Sequence, residues 1–301
     1  FRLNKMKLEQ ENFHPRDSLI HFNSKRHVYS TSRCNKLSSV TNWVYKHFEP
    51  FNAKLVIDNM RKSKKWNSDN KYFGMTDSEI QDLWKNNGKI SRELGTALHE
   101  KIEKWCNDEN VEHDEDDDVA FNQFLGWDNS KSSEGWMPYR TEWKIFDEDL
   151  QIAGTADAVY TNDKGEYILI DWKRCKEIKF ENRWQSAISD EIKHLSDCNY
   201  VKYSLQLNVY KYILEKNYGI NISKMLIVNV HPDQKSFQEI DALSIQPEVK
   251  KMFRIQENVS MKSTVDLLSD AASPLLSDAA SKTLKDRLKK GIKISAILYL
   301  E

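Results

Sequence analysis

Residues 150–173 read LQIAGTADAVYTNDKGEYILIDWK, and this stretch decides the fold. Two apolar runs flank Asn162–Gly165, whose turn-forming residues predict a hairpin between strands at Leu150–Tyr160 and Glu166–Lys173. Side chains alternate across a strand. Asp171 and Lys173 therefore share one face with Tyr167 and Leu169, while Ile168, Ile170 and Trp172 pack on the other. A carboxylate and an amine at the end of an apolar strand are costly to bury unless paired, and a plain edge ion pair would satisfy the tripeptide alone. The preceding strand adds a second acid, Asp157, after Gly154-Thr-Ala. The two acids are fourteen residues apart, one hairpin's worth of chain, which puts their carboxylates on neighbouring strands. Two acids held close repel each other, and a divalent cation that coordinates both resolves the repulsion. Asp oxygens and water suit Mg2+ or Mn2+. Lys173 beside them could orient or deprotonate a water, or stabilise charge developing on a phosphate.

Working outward, Met137–Phe146 reads as a further strand and carries Glu142, with turn residues at Asp147–Asp149. Upstream, Leu94, Leu98, Ile102 and Trp105 keep a helical period in a helix from about Lys89 to Asn107. Gly95, His99 and Glu103 lie along one side of it, and Gly95 would let it approach a sheet closely. His99 there is compatible with a third metal ligand, although a lone histidine is more often part of a core or surface. Thr76 and Glu79 form a capping box for a separate short helix ending near Lys85, and Val119–Trp127 reads as one more helix. Between Lys36 and Lys62 the apolar pattern predicts helices broken near Pro50. Downstream, Val201–Asn217 reads as a helix ended by Gly219, with Gln206 and Tyr210 one turn apart, followed by strands at Ser223–Val230 and Phe237–Leu243. The expected fold class is α/β (α+β): a central mixed sheet flanked by helices. The expected division is 1–87 as an N-terminal helical part lining a nucleic-acid channel, 88–258 as the core, and 259–301 as a linker-like tail with a basic helix.

The chain has 301 residues, 39% hydrophobic and 30% charged, which is enough to bury a sizeable core. Mean hydropathy is −0.72 and no run of 18 apolar residues exists, so no transmembrane helix and no membrane partner are expected. The chain begins at Phe1, which leaves room for residues upstream, and residues 1–10 hold no signal-peptide core. The four cysteines form no C-x-x-C pair, which favours free thiols in an intracellular, reducing compartment. There is no phosphate-binding ATPase loop, so any unwinding would need a helicase or a replication or repair partner. The net charge of −1 hides an asymmetry: residues 108–118 carry eight acids and no Lys or Arg, leaving the remainder at +7. A basic body suits nucleic acid, and the acidic run reads as a solvated loop. Phe180–Tyr200 is long for a connection, and its Arg183, Trp184 and Lys193 combine charge with an aromatic, which suits phosphate contacts and base stacking. Trp43, Tyr45, Lys46 and Arg61–Lys65 with Trp66 make a similar case in the N-terminal part.

The order Gly95-Thr-x-x-His99, Gly154-Thr-x-Asp157, Asp171-Trp-Lys173, Gln206-x-x-x-Tyr210 resembles the PD-(D/E)xK nuclease superfamily over roughly residues 88–230. It looks most like the RecB-type branch, which includes CRISPR-adaptation nucleases and the mitochondrial genome-maintenance exonuclease. The resemblance implies a restriction-endonuclease-like core and a metal-dependent deoxyribonuclease, an exonuclease acting on single-stranded ends. An endonuclease on RNA or branched DNA, or a non-catalytic nucleic-acid-binding scaffold, are the alternatives. By resemblance, His99, Asp157, Asp171 and the Trp172 carbonyl hold Mg2+ or Mn2+, and Lys173 is the catalytic lysine. Gln206 and Tyr210 place the scissile strand or support Lys173, and Glu142 sits where relatives often carry an acid, as a group that supports the site or helps position the substrate. Cys175 and Cys198 both precede the Gln206 helix and no cysteine follows it, so no iron–sulfur cluster is expected.

Overall fold

In the computed structural model, which describes residues 6–114 and 118–254, the hairpin 150–173 is the centre of a mixed sheet. In chain order the elements are α1 (Leu8–Glu11), a 3-10 turn (Pro15–Leu19), β1 (Ile20–Asn23), β2 (Val28–Thr31), β3 (Ser38–Ser39), α2 (Val40–Tyr45), α3 (Ala53–Lys62), α4 (Asp77–Cys106), α5 (Val119–Ser133), β4 (Trp136–Asp147), β5 (Ile152–Asn162), β6 (Tyr167–Lys173), α6 (Asn199–Ile213) with a π turn (Leu214–Tyr218), β7 (Ile222–Asn229) and β8 (Gln238–Asp241). β4, β5 and β6 run antiparallel in succession. β7 is parallel to β6, reached through α6, and β8 closes the edge antiparallel to β7.

The sheet is a middle layer. Ile168, Ile170 and Trp172 of β6 join Ala158 and Tyr160 of β5 in a core with Leu98 and Ile102 of α4 and Phe121, Phe124 and Trp127 of α5. This is the apolar face that the alternation in YILIDWK predicts. The opposite face receives α6 and α2, so Asp171 and Lys173 look toward α6. Gly219 takes a left-handed φ of 67° and ends the α6 segment as expected. The described residues up to Val249 belong to one compact unit. The duplicated LLSDAAS and the basic C-terminal helix fall outside the described residues, as does the centre of the acidic run.

Three expectations change. The separate helices ending near Lys85 and starting at Lys89 are one 30-residue helix, α4, which passes unbroken through residues 87 and 88 from the Thr76–Glu79 capping box to Cys106. Gly88 does not interrupt it, because a helical glycine costs only about 1 kcal/mol relative to Ala and no Pro competes. Gly95 does not serve close packing, since among the described residues nothing lies within 4 Å of where its Cβ would stand. The N-terminal part is not purely helical: β1 and β2 form a hairpin, and β3 joins the central sheet.

Candidate active site

The site arises where two strands part. β5 and β6 are paired from Thr161↔Tyr167 to Ala158↔Ile170 and then diverge. Further along β5, β3 takes β6's place, pairing at Ile152 and Ala153. Gly154–Asp157 therefore line a fork. The fork exposes the peptide N–H of Trp172, and the Asp157 carboxylate accepts it at 2.9 Å. A buried N–H left unmatched would cost about 1–3 kcal/mol, so the fork holds Asp157 in place as firmly as a strand partner would.

Side chains from both layers converge there. His99, from α4, places Nε2 3.2 Å from the Trp172 carbonyl oxygen and 3.8 Å from Asp157 Oδ2, and Nδ1 3.2 Å from Glu142 Oε1. His99, Glu142 and Asp157 offer ligand atoms all within 4.8 Å of one another. Glu142 lies between the register pairs Thr141↔Ala158 and Trp143↔Ala156, opposite Asp157. Its φ of 44° is left-handed, a strained backbone for a residue with a side chain. Asp171 stands just outside this trio. Its side chain is 2% exposed and forms an ion pair with Lys173 Nζ at 2.5 Å. Apart from that pair, neither of its oxygens meets a hydrogen-bond donor among the described residues.

The electrostatics follow from crowding three acids in a buried space. Burial lowers the basicity of His99, but Asp157 and Glu142 outweigh it and raise its pKa to about 9. Burial pushes the Asp171 carboxyl up to about 6, with Lys173 pulling against it and Asp157 adding to it. Asp157 is raised for the same first reason, opposed by His99 and Lys173. Burial works against the Lys173 ammonium, yet Asp171 and Asp157 hold it charged. The donor set of one imidazole and the Glu142 and Asp157 carboxylates, with the Asp171 carboxylate beside it meeting no donor but Lys173 among the described residues, fits a hard divalent cation.

Gln206 and Tyr210 stand over the fork from α6, and Gln206 Nε2 donates to the Tyr210 hydroxyl at 3.3 Å. Tyr210 is buried against β5, and a Cβ on Gly154 would lie 2.6 Å from its Cε1 and 2.8 Å from its hydroxyl. The glycine of the Gly-Thr-x-Asp run is thus the seat of Tyr210. Arg183, Trp184 and Lys193 lie apart on the irregular segment that follows β6. Trp184 is 92% exposed, Arg183 faces Glu181 and Lys193 faces Asp190, and none of the three bonds to the His99–Asp157–Lys173 group among the described residues.

Two neighbours were not singled out by sequence reasoning as site residues. Lys173 Nζ sits 4.7 Å from the centre of the Tyr203 ring, one turn before Gln206 on α6. That spacing was the available signal, but it reads equally as packing. Tyr29 of β2 hydrogen-bonds Thr155 at 2.8 Å, between Gly154 and Asp157. Nothing local to Tyr29 announces a partner 126 residues away.

A family model of the PD-(D/E)XK nuclease superfamily matches residues 81–291. The fold, the fork and this match define the class: the chain belongs to the PD-(D/E)XK nuclease superfamily. It is also similar to the crystal structure of SSO0001, at 18% identity over 61% of this chain and 67% of that one, with a TM-score of 0.27. No curated protein matches the sequence. No helix of the described residues is long and apolar enough to cross a membrane.

Proposed function

We propose that the protein is a metal-dependent nuclease that hydrolyses DNA phosphodiester bonds and works from single-stranded ends. The observation that carries the nuclease reading is the fork: Asp157 and Asp171 on parting strands, Lys173 beside Asp171, and His99 and Glu142 closing the group. His99, Asp157, Asp171 and the Trp172 carbonyl would hold the cation, with Glu142 as a further ligand or as the group that orients the His99 ring. Bound there, Mg2+ or Mn2+ would supply Lewis acidity toward a phosphate oxygen and toward water.

The chain's own groups do the rest. Lys173, kept charged by its acids, lies where it can offset charge growing on a phosphate. The buried Tyr210 and the half-buried Gln206 fix the floor on which the scissile strand would rest. The motif order's resemblance to the RecB-type branch supports DNA ends as substrate. The fully exposed Trp184, with Arg183 and Lys193 nearby in sequence, supports a single strand held by stacking and phosphate contacts.

The test is cleavage of end-labelled single-stranded DNA, duplex DNA and RNA, together with circular single-stranded DNA, in Mg2+, Mn2+ or EDTA. Metal-dependent loss of linear DNA, spared circles and an inactive Lys173→Ala variant are expected. Cut circles would make the enzyme an endonuclease, and degradation of RNA alone would move the substrate. Binding without cleavage by the wild type would leave a scaffold.

A further inference from the structure

Between Gln81 and Ala97, α4 buries none of its residues; its buried positions are Ile80, Leu98, Ile102 and Cys106. At 100° per residue, Lys85, Lys89, Arg92, Thr96 and His99 fall within one narrow sector of this helix. The opposite side carries Leu83, Ile90 and Leu94, which are 38%, 45% and 44% exposed. The basic side chains therefore segregate into a stripe, and the stripe ends on the histidine of the fork. From Lys85 to His99 it is about 21 Å long at 1.5 Å per residue.

We propose that this stripe is a track for the phosphate backbone of the strand being cleaved, leading it along α4 to His99. The inference rests on the nuclease reading and adds to it a residue-level binding surface. Charge complementarity selects the occupant: three cations in line with the site match a polyanion. Arg92 is exposed, and Lys85 and Lys89 have side chains 78% and 68% exposed and face Asp82 and Glu93 only at 3.8 Å. Exposed pairs of this kind are worth little and are given up cheaply. A second observation concerns Gly95, which borders the stripe one turn before His99. No described residue comes within 4 Å of its absent Cβ, yet a glycine there destabilises the helix by about 1 kcal/mol relative to Ala. An open lane beside His99 lets a strand's backbone approach closely.

The experiment compares wild type with K85A/K89A/R92A and with G95A, using a 20-nucleotide DNA strand and a trinucleotide. The expected result for the triple variant is a KM for the long strand raised 10- to 100-fold, with kcat nearly unchanged and the trinucleotide unaffected. Three phosphate contacts fewer should also make the salt slope of binding shallower by about 2 for a single strand. That slope is read by fluorescence anisotropy in EDTA, so it is measurable even if no cleavage occurs. G95A should melt higher than wild type and still raise KM. D82N/E93Q, which removes the flanking acids, should tighten binding of the long strand. An unchanged slope and KM in the triple variant, or equal losses on both substrates, would overturn the track. Failure of wild type to cleave would instead count against the nuclease reading and leave the slope to judge the track.

Discussion

Gly154 and Tyr210 fit together with no room for a methyl group between them. The relationship joins β5, which carries Asp157, to α6, which carries Gln206, and it sets the height of the α6 layer above the fork. Gly154→Ala must displace a buried tyrosine, and overpacking of this kind costs about 1–3 kcal/mol. The expected outcome is a lowered urea midpoint. Combining it with Tyr210→Ala should give a loss smaller than the sum of the two single losses, by at least 0.5 kcal/mol. Additive losses would show that the two residues do not press on each other.

Glu142 holds a left-handed backbone inside a strand. Glycine normally destabilises a strand relative to alanine. At position 142 the order should invert, with Glu142→Gly more stable than Glu142→Ala by about 1 kcal/mol, since only glycine adopts that φ without strain. Chemical denaturation of the two metal-free variants decides it. Equal stabilities would mean the strain is absent.

A cation held by the fork stabilises the folded chain by mass action. At a hundredfold excess over its Kd the gain is about 2.7 kcal/mol. Thermal melts should therefore rise with Mn2+ or Mg2+ and return to the starting value with EDTA. His99→Ala and Asp157→Asn should abolish the rise. Retention of the full shift in both variants would place the cation elsewhere.

His47, just past α2, anchors the long segment after β6. Its Nδ1 lies 2.7 Å from Ser189 Oγ, and its backbone oxygen accepts from Ile188 N at 2.9 Å. Burial pushes its pKa down to about 4, with Glu191 opposing and Lys46 assisting. Its Nε2 is buried and meets no hydrogen-bond partner among the described residues. Between pH 6.5 and 4 the unfolded chain therefore binds the proton that the folded chain refuses, so stability falls as pH falls through that window. Partial solvent access screens the effect to about 1–2 kcal/mol. Urea midpoints at pH 7.5 and pH 5 should separate less in His47→Gln than in wild type. An identical separation would remove His47 as the cause.

The strands and the placing of Asp157 and Asp171 on neighbouring strands of one hairpin were legible because both are local: alternation, turn residues and spacing all act within 24 residues of chain. What the sequence hid depends on distant parts. The fork exists because β3 replaces β6 beside β5, and a two-residue strand leaves no periodicity to read. Gly154 looked like a small-residue approach to an acid, and its partner Tyr210 is 56 residues on. Glu142 was placed as a supporting acid, and its backbone twist, which brings it level with His99 and Asp157, is invisible in composition. The α4 region misled for an energetic reason, since two glycines weaken a helix without breaking it once its start is capped and its end is packed.

The unbroken course of α4 makes it a strut with two anchored ends. Leu98 and Ile102 pin it to the core, with His99 directly at the pinned point, while Ile57 and Ile80 are fully buried at the far end where α3 meets it. Ile80 lies about 27 Å along the axis from Leu98. The exposed stretch between Ile80 and Leu98 is thus braced at both of its ends, and the imidazole that ends it is held in register with Asp157.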